Sequence, residues 1–126
     1  MIDQKHKDLI NKLIEKTRAK KANWHKTSGN DEYKIALEKA TITLDNWDDK
    51  GMYYVDFRIL NDKGDSISVL TFGELESDDY NFLMNLHGIA KESYYRVDET
   101  IDEIFDELDS ENDIGKKDDD YDDLPF

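Results

Sequence analysis

The side chains best suited to acid–base or metal chemistry are three histidines, His6, His25 and His87. None of them stands at the His-x3-His or Glu-x-x-His spacing that places two ligands on one helix face. The chain also lacks the Gly-x-Ser-x-Gly turn of a serine nucleophile and a glycine-rich phosphate loop. We therefore expect no catalytic residue, no metal site and no cofactor, and we predict that the protein is not an enzyme.

One short acidic–basic pattern, Glu32-Tyr33-Lys34, begins a predicted strand. Some metal-dependent nucleases place an acidic residue two positions before a lysine in this way. An ion pair across neighbouring strands is the interpretation that we favour.

A second set of residues could bind nucleic acid, because it places an aromatic ring among basic side chains. Lysines can contact phosphates while an indole stacks on a base. The alternative is that the indole folds back to close the first helix onto the sheet, with the lysines in solvent. The residues concerned are Lys20, Lys21, Trp24 and Lys26, with His25 between the last two.

The chain ends in a run of aspartates followed by a short apolar hook. Repulsion among these carboxylates predicts an extended, solvated segment. Pro125 favours an extended backbone at Leu124, and Phe126 places an aromatic side chain beside the terminal carboxylate. A pocket lined with Lys or Arg could capture that pair. The predicted partner-binding residues are Asp119, Asp120, Asp122, Asp123, Leu124, Pro125 and Phe126.

This ending resembles the acidic tail of bacterial single-stranded DNA-binding proteins, which closes on Asp-Asp-Ile-Pro-Phe or Asp-Asp-Leu-Pro-Phe. The resemblance implies bacterial DNA replication and repair proteins as partners, docked through the tail. We expect a non-enzymatic adaptor. Two alternatives stay open: a single-stranded DNA-binding protein of phage or mobile-element type with a non-standard fold, and an acidic DNA-mimic inhibitor.

Charge is distributed unevenly along the chain, whose net charge is -14. Residues 1–26 contain eight basic and three acidic side chains, whereas residues 73–126 contain four and nineteen. Such a field favours basic partners for the C-terminal half. The chain has no cysteine and no apolar run of membrane-spanning length, so we expect a cytoplasmic protein without a membrane segment.

The apolar periodicity predicts six elements. Residues 3–22 form an amphipathic helix, and alternating strands follow at 32–37, 40–45, 52–60 and 66–72. Short polar turns join the strands and favour antiparallel neighbours. A long apolar stripe then predicts a second helix from Ser77 to near Leu108, with a break near Gly88 or Val97.

The predicted fold class is α+β, in the order α-β-β-β-β-α. It is a four-stranded antiparallel meander with two helices on one face and a disordered acidic C-terminal tail. Residues 1–109 form one domain, and residues 110–126 form an acidic linker and docking tail.

The body is similar to a recurrent bacterial α+β domain of about a hundred residues. This resemblance covers most of residues 9–108, supports the predicted fold and transfers no catalytic residue. It is carried by Trp24, Thr27, Tyr33, Tyr54, Phe57, Asn61, Gly64, Tyr80, Leu83, Ala90, Val97-Asp98-Glu99, Ile101, Ile104 and Leu108.

Overall fold

A computed structural model describes residues 1–116 of the chain. The chain divides into two compact units, Met1–Tyr95 and Arg96–Phe126. This division falls inside the predicted 1–109 domain. Within residues 1–116, the first unit contains two helices and the whole sheet, and the second contains one helix. No helix within residues 1–116 is both long and apolar enough to cross a membrane.

Helix α1 spans Gln4–Arg18 and is capped at both ends. The Asp3 side chain caps its start by accepting a hydrogen bond of 2.9 Å from the His6 amide. Its end has the Schellman pattern, in which the Lys21 amide donates to the Lys16 carbonyl and the Lys20 amide donates to the Thr17 carbonyl. Lys20 has a positive φ of 61° and fills the position that usually holds glycine.

The sheet is an antiparallel meander with strand order β1-β2-β3-β4-β5. The two longest strands, β3 and β4, are joined by the two-residue turn Lys50-Gly51, whose φ angles are 53° and 85°. Positive φ at both positions defines a type I′ turn, which matches the twist of a hairpin. The strands are β1 His25–Lys26, β2 Glu32–Ala36, β3 Ala40–Asp49, β4 Met52–Asn61 and β5 Ser66–Gly73.

The α+β class is confirmed, but the prediction of four strands is wrong, because residues 1–116 form five. The additional strand β1 has two residues, and it pairs His25 with Lys34 and Lys26 with Tyr33. A strand of two residues is too short to show alternation, so its sequence carries no detectable signal. Strand β3 also runs past the predicted end at residue 45, because Trp47 pairs with Tyr54.

Helices α1 and α2 pack against each other, and α2 also packs on strands β2 to β5. The first sheet face is the face that packs in this core. It contributes alternate residues of each strand, such as Val55 and Phe57 in β4, both fully buried. The neighbouring Tyr54, Asp56 and Arg58 lie on the opposite, second sheet face, as the period of two requires. The core consists of Ile2, Ile10, Leu13, Ile14, Trp24, Tyr33, Ile35, Ile42, Leu44, Val55, Phe57, Phe72, Leu83, Leu86 and Ala90.

The predicted second helix is two helices, so the described part of the chain contains three. Helix α2 spans Ser77–Tyr95 and α3 spans Val97–Asp109. They are separated by Arg96, whose φ of 54° is left-handed and incompatible with a continuous helix. The predicted break near Val97 is therefore confirmed, and α2 runs through Gly88. The apolar stripe continues across Arg96, so its periodicity does not show where α2 ends.

Candidate functional site

The predicted docking residues Asp119, Asp120, Asp122, Asp123, Leu124, Pro125 and Phe126 lie outside the described residues. The same is true of most of the predicted disordered tail. Their role stays a prediction.

Trp24 belongs to the core and is not available to stack on a base. Its side chain is 4% exposed, and the indole Nε1 donates a hydrogen bond of 3.0 Å to Thr17 Oγ1. The Thr17 hydroxyl in turn donates to the Leu13 carbonyl at 2.6 Å. The alternative interpretation, in which Trp24 closes the first helix, describes this arrangement.

The lysines of the predicted nucleic-acid site lie in different surroundings. The backbone of Lys20 ends α1, and the Lys26 ammonium donates to the Gly29 carbonyl at 2.6 Å, which stabilises the turn between β1 and β2. Lys21 lines a shallow cleft of about 450 Å³ on α1 together with Lys12 and Lys16. Glu15 also lines this cleft, whose net charge is positive and attracts an anion, but no aromatic side chain among residues 1–116 lines it.

A hydrogen-bonded relay joins Asp3, His6 and Ser68. His6 Nδ1 lies 2.9 and 3.0 Å from the two carboxylate oxygens of Asp3, and His6 Nε2 lies 2.9 Å from Ser68 Oγ. A carboxylate can only accept, so Nδ1 carries the proton, and in the neutral ring Nε2 accepts from the serine hydroxyl. The hydrogen bonds from His6 hold the pKa of Asp3 below its usual value.

The relay has the order of a catalytic triad, whose activity would also need amide donors that stabilise an oxyanion. Ser68 lies within strand β5, where side chains stand perpendicular to the sheet and backbone amides lie in its plane. Those amides do not point at an oxygen bound above the serine. We therefore interpret the relay as a link between the start of α1 and β5. The sequence alone does not predict this contact, because Ser68 stands 62 residues after His6.

His87 has a structural role beneath the loop before β2. The ring is 2% exposed, and Nε2 donates to the Asp31 carbonyl at 2.9 Å, since a carbonyl can only accept. Its edge packs on Tyr33, with ring centroids 5.4 Å apart. Burial is the main cause that raises the pKa of Tyr33, and interactions with Tyr95 and Asp31 raise this pKa further. The His87 site is thus a packed polar contact within the core.

Glu32, the first residue of the predicted nuclease-like pattern, has another partner. Its carboxylate Oε1 accepts a hydrogen bond of 2.6 Å from the Thr27 hydroxyl. In the sheet, Glu32 lies opposite Asp45, whereas Lys34 lies opposite Thr43. The register therefore does not place Glu32 opposite a cation.

The second sheet face carries a row of carboxylates that crosses three strands. Glu32, Asp45 and Asp56 lie side by side on β2, β3 and β4. Partial burial raises the pKa of Asp45, and the neighbouring Glu32 and Asp56 carboxylates raise it further. Asp56 Oδ1 and Arg58 Nε are shielded from solvent and lack hydrogen-bond partners among the described residues. Repulsion among the carboxylates of this row therefore destabilises the fold.

An aromatic pair lies next to this row. Trp47 and Tyr54 stack with ring centroids 4.5 Å apart and planes 18° apart. Gly73 lies opposite Tyr54 in β5, and a Cβ atom there would stand 3.0 Å from the tyrosine ring. Trp47, Asp31 and Asp45 help to line a cleft of about 380 Å³. This cleft combines an indole with carboxylates, the surface chemistry that suits a cation.

No group of three or more His, Cys, Asp or Glu side chains within residues 1–116 could hold a metal ion. Comparison of the chain with protein-family models, with curated proteins and with solved structures finds no match. The two resemblances drawn from the sequence therefore remain predictions.

The raised pKa of Asp45 predicts a pH-dependent effect of Asp45→Asn. Because the pKa of Asp45 is higher in the folded than in the unfolded state, protonated Asp45 contributes to the free energy of unfolding. This contribution is fully present below the unfolded pKa and is lost as pH rises through the folded pKa. We therefore expect Asp45→Asn to raise the free energy of unfolding at pH 7 and to lose this advantage near pH 3, where the wild-type carboxyl is protonated. Urea unfolding at both pH values measures the difference.

The matched control is Asp49→Asn, at the exposed end of the same strand. We expect it to change the free energy of unfolding by less than about 0.5 kcal/mol at pH 7. The account of the carboxylate row would be contradicted if Asp45→Asn changed the free energy of unfolding, relative to the wild type, by the same amount at pH 7 as at pH 3.

The relay of Asp3, His6 and Ser68 predicts an unreactive serine. We expect the full chain to give no adduct at Ser68 with a fluorophosphonate probe, because the amides of a strand lie in the plane of the sheet and are not directed at a developing oxyanion. Peptide mass spectrometry measures the adduct. A Ser68 adduct that disappears in His6→Ala would show that the relay activates a nucleophile and that the protein is a hydrolase.

Proposed function

We propose that the protein is a non-enzymatic adaptor that docks bacterial DNA replication and repair enzymes through its Asp-rich Leu-Pro-Phe tail. The observation that carries this proposal is the division of charge between the two units. Arg96–Phe126 holds fourteen acidic and three basic residues, against seventeen and fourteen in Met1–Tyr95. A strongly acidic segment attached to a nearly balanced body favours basic partner surfaces.

The residue order at the end of this segment supports a defined docking mode. Phe126 supplies a large apolar side chain, and Asp122 and Asp123 supply charge next to the hook. An apolar pocket with Lys or Arg on its rim complements both features. The tail of single-stranded DNA-binding proteins, which this ending resembles, has the same chemistry.

The structure gives less support to the single-stranded DNA-binding alternative. That hypothesis needs Trp24 for base stacking, and the indole is buried and hydrogen-bonded to Thr17. In the described part of the chain, the cleft at Lys12, Lys16 and Lys21 supplies positive charge and is lined by no aromatic residue. Single-stranded binding proteins combine both.

The DNA-mimic alternative is a second candidate function, favoured by the charge density of α3. The helix carries seven carboxylates in thirteen residues, a length of about 20 Å. This corresponds to one charge per roughly 3 Å, close to the spacing of about 3.4 Å along one strand of B-form DNA.

A competition measurement tests the adaptor proposal. A fluorescein-labelled peptide ending in Asp-Asp-Leu-Pro-Phe is bound to a bacterial exonuclease or helicase that docks single-stranded DNA-binding proteins, and unlabelled full chain is then added. We expect the full chain to displace the peptide, with Phe126→Ala about tenfold or more weaker, because an aromatic anchor in a pocket dominates such interfaces. Fluorescence anisotropy measures the displacement.

The control is Tyr121→Ala, which removes an aromatic side chain from the tail and keeps the hook. We expect it to compete like the wild type. Equal competition by the wild type and Phe126→Ala, or no competition by either, would reject the docking role of the hook.

A further inference from the structure

Helix α3 separates apolar from acidic side chains completely. At 100° per residue its five apolar residues fall within an arc of about 100°, and its acidic residues occupy the rest of the circumference, apart from Thr100. None of its side chains is buried, and the apolar five are 40% to 58% exposed. The apolar stripe consists of Val97, Ile101, Ile104, Phe105 and Leu108, and the acidic face of Asp98, Glu99, Asp102, Glu103, Asp106, Glu107 and Asp109.

The charges of α3 oppose its own helical state. Like charges repeat at i, i+4 along Asp98, Asp102 and Asp106, a spacing that destabilises a helix. Acidic residues also continue into the last turn, where the helix dipole favours cations, and α3 has no basic residue there. A helix of thirteen residues is marginal in water. Lysines or arginines supplied from outside would relieve this repulsion.

These charges also decide between two occupants of the apolar stripe. A second copy of α3 would bring fourteen carboxylates together, since each copy carries seven. A basic partner surface would instead neutralise them while its apolar groove covers the stripe. We propose that α3 is a docking helix that binds an apolar groove rimmed with Lys and Arg on a partner protein. This site is separate from the tail hook, and it does not depend on the hook's function.

The test uses a synthetic amphipathic leucine–lysine helix of about 14 residues as the probe, because it presents an apolar strip flanked by cations. Full-length wild type is compared with Ile104→Gln/Phe105→Gln, which keeps helix propensity and removes half of the stripe's bulk. The expected result is binding by the wild type and a loss of about tenfold or more in the variant, measured by fluorescence anisotropy. Phe126→Ala should bind the probe like the wild type.

The matched control is Asp102→Gln/Glu103→Gln, which places the same two glutamines on the acidic face. It should weaken binding at low salt and reduce the salt dependence, while retaining the apolar contact. Equal binding by the wild type and the stripe variant, or no binding by either, overturns the proposal. Sensitivity to the acidic-face variant alone favours the DNA mimic and also overturns it.

Two further measurements exclude other occupants of the stripe. A wild-type dimer in sedimentation that the stripe variant abolishes would assign the stripe to a second copy. A melting temperature more than about 4 °C lower in the stripe variant would show that these side chains are buried within the chain itself. The proposal predicts a monomer and an unchanged melting temperature.

Discussion

The packing of α2 onto the first sheet face and against α1 is the interaction on which the body of the protein depends. It buries Tyr33, Phe57 and Leu83 almost completely, and burial of large apolar side chains is the main favourable contribution to folding. The same packing orders the polar groups. Within the core, the Trp24 indole donates a hydrogen bond to the Thr17 hydroxyl. At the start of α1, the His6 ring is hydrogen-bonded to Ser68 in β5. Trp24, the aromatic member of the basic–aromatic cluster in the sequence, is thereby part of the core.

Polar residues excluded from this core accumulate on two surfaces. On the second sheet face, Glu32, Asp45 and Asp56 stand in one row, and partial burial together with repulsion from its two neighbours raises the pKa of Asp45. On α3, carboxylates flank an apolar stripe whose side chains are exposed. Both surfaces favour cationic groups, and the acidic residues of Arg96–Phe126 extend the same preference. In the second unit, this preference is the chemistry that the proposed basic partners would supply.

Much of the body was predictable because one buried face imposes a strict period on the sequence. The alternation in β4 agrees with the burial of Val55 and Phe57, and the helical spacing of Ile10, Leu13 and Ile14 agrees with the buried side of α1. Period carries no information about two-residue strands, so β1 was missed.

Other features depend on tertiary placement or on the backbone. The His6–Ser68 contact joins residues far apart in sequence, and the left-handed backbone of Arg96 decides which of the two predicted breaks is formed. The order of residues in the tail suggested a docking role, which the described structure of residues 1–116 does not address.

The central claim is that partners bind the second unit and leave the body unoccupied. The most direct measurement is a pair of amide NMR spectra of the ¹⁵N-labelled full chain, recorded before and after addition of an enzyme that docks single-stranded DNA-binding proteins. We predict shifted or broadened signals within Arg96–Phe126 and unchanged signals on the second sheet face and α1. Perturbations confined to α1, around Lys12, Lys16 and Lys21, or to the Trp47 cleft would contradict the account and assign binding to the body.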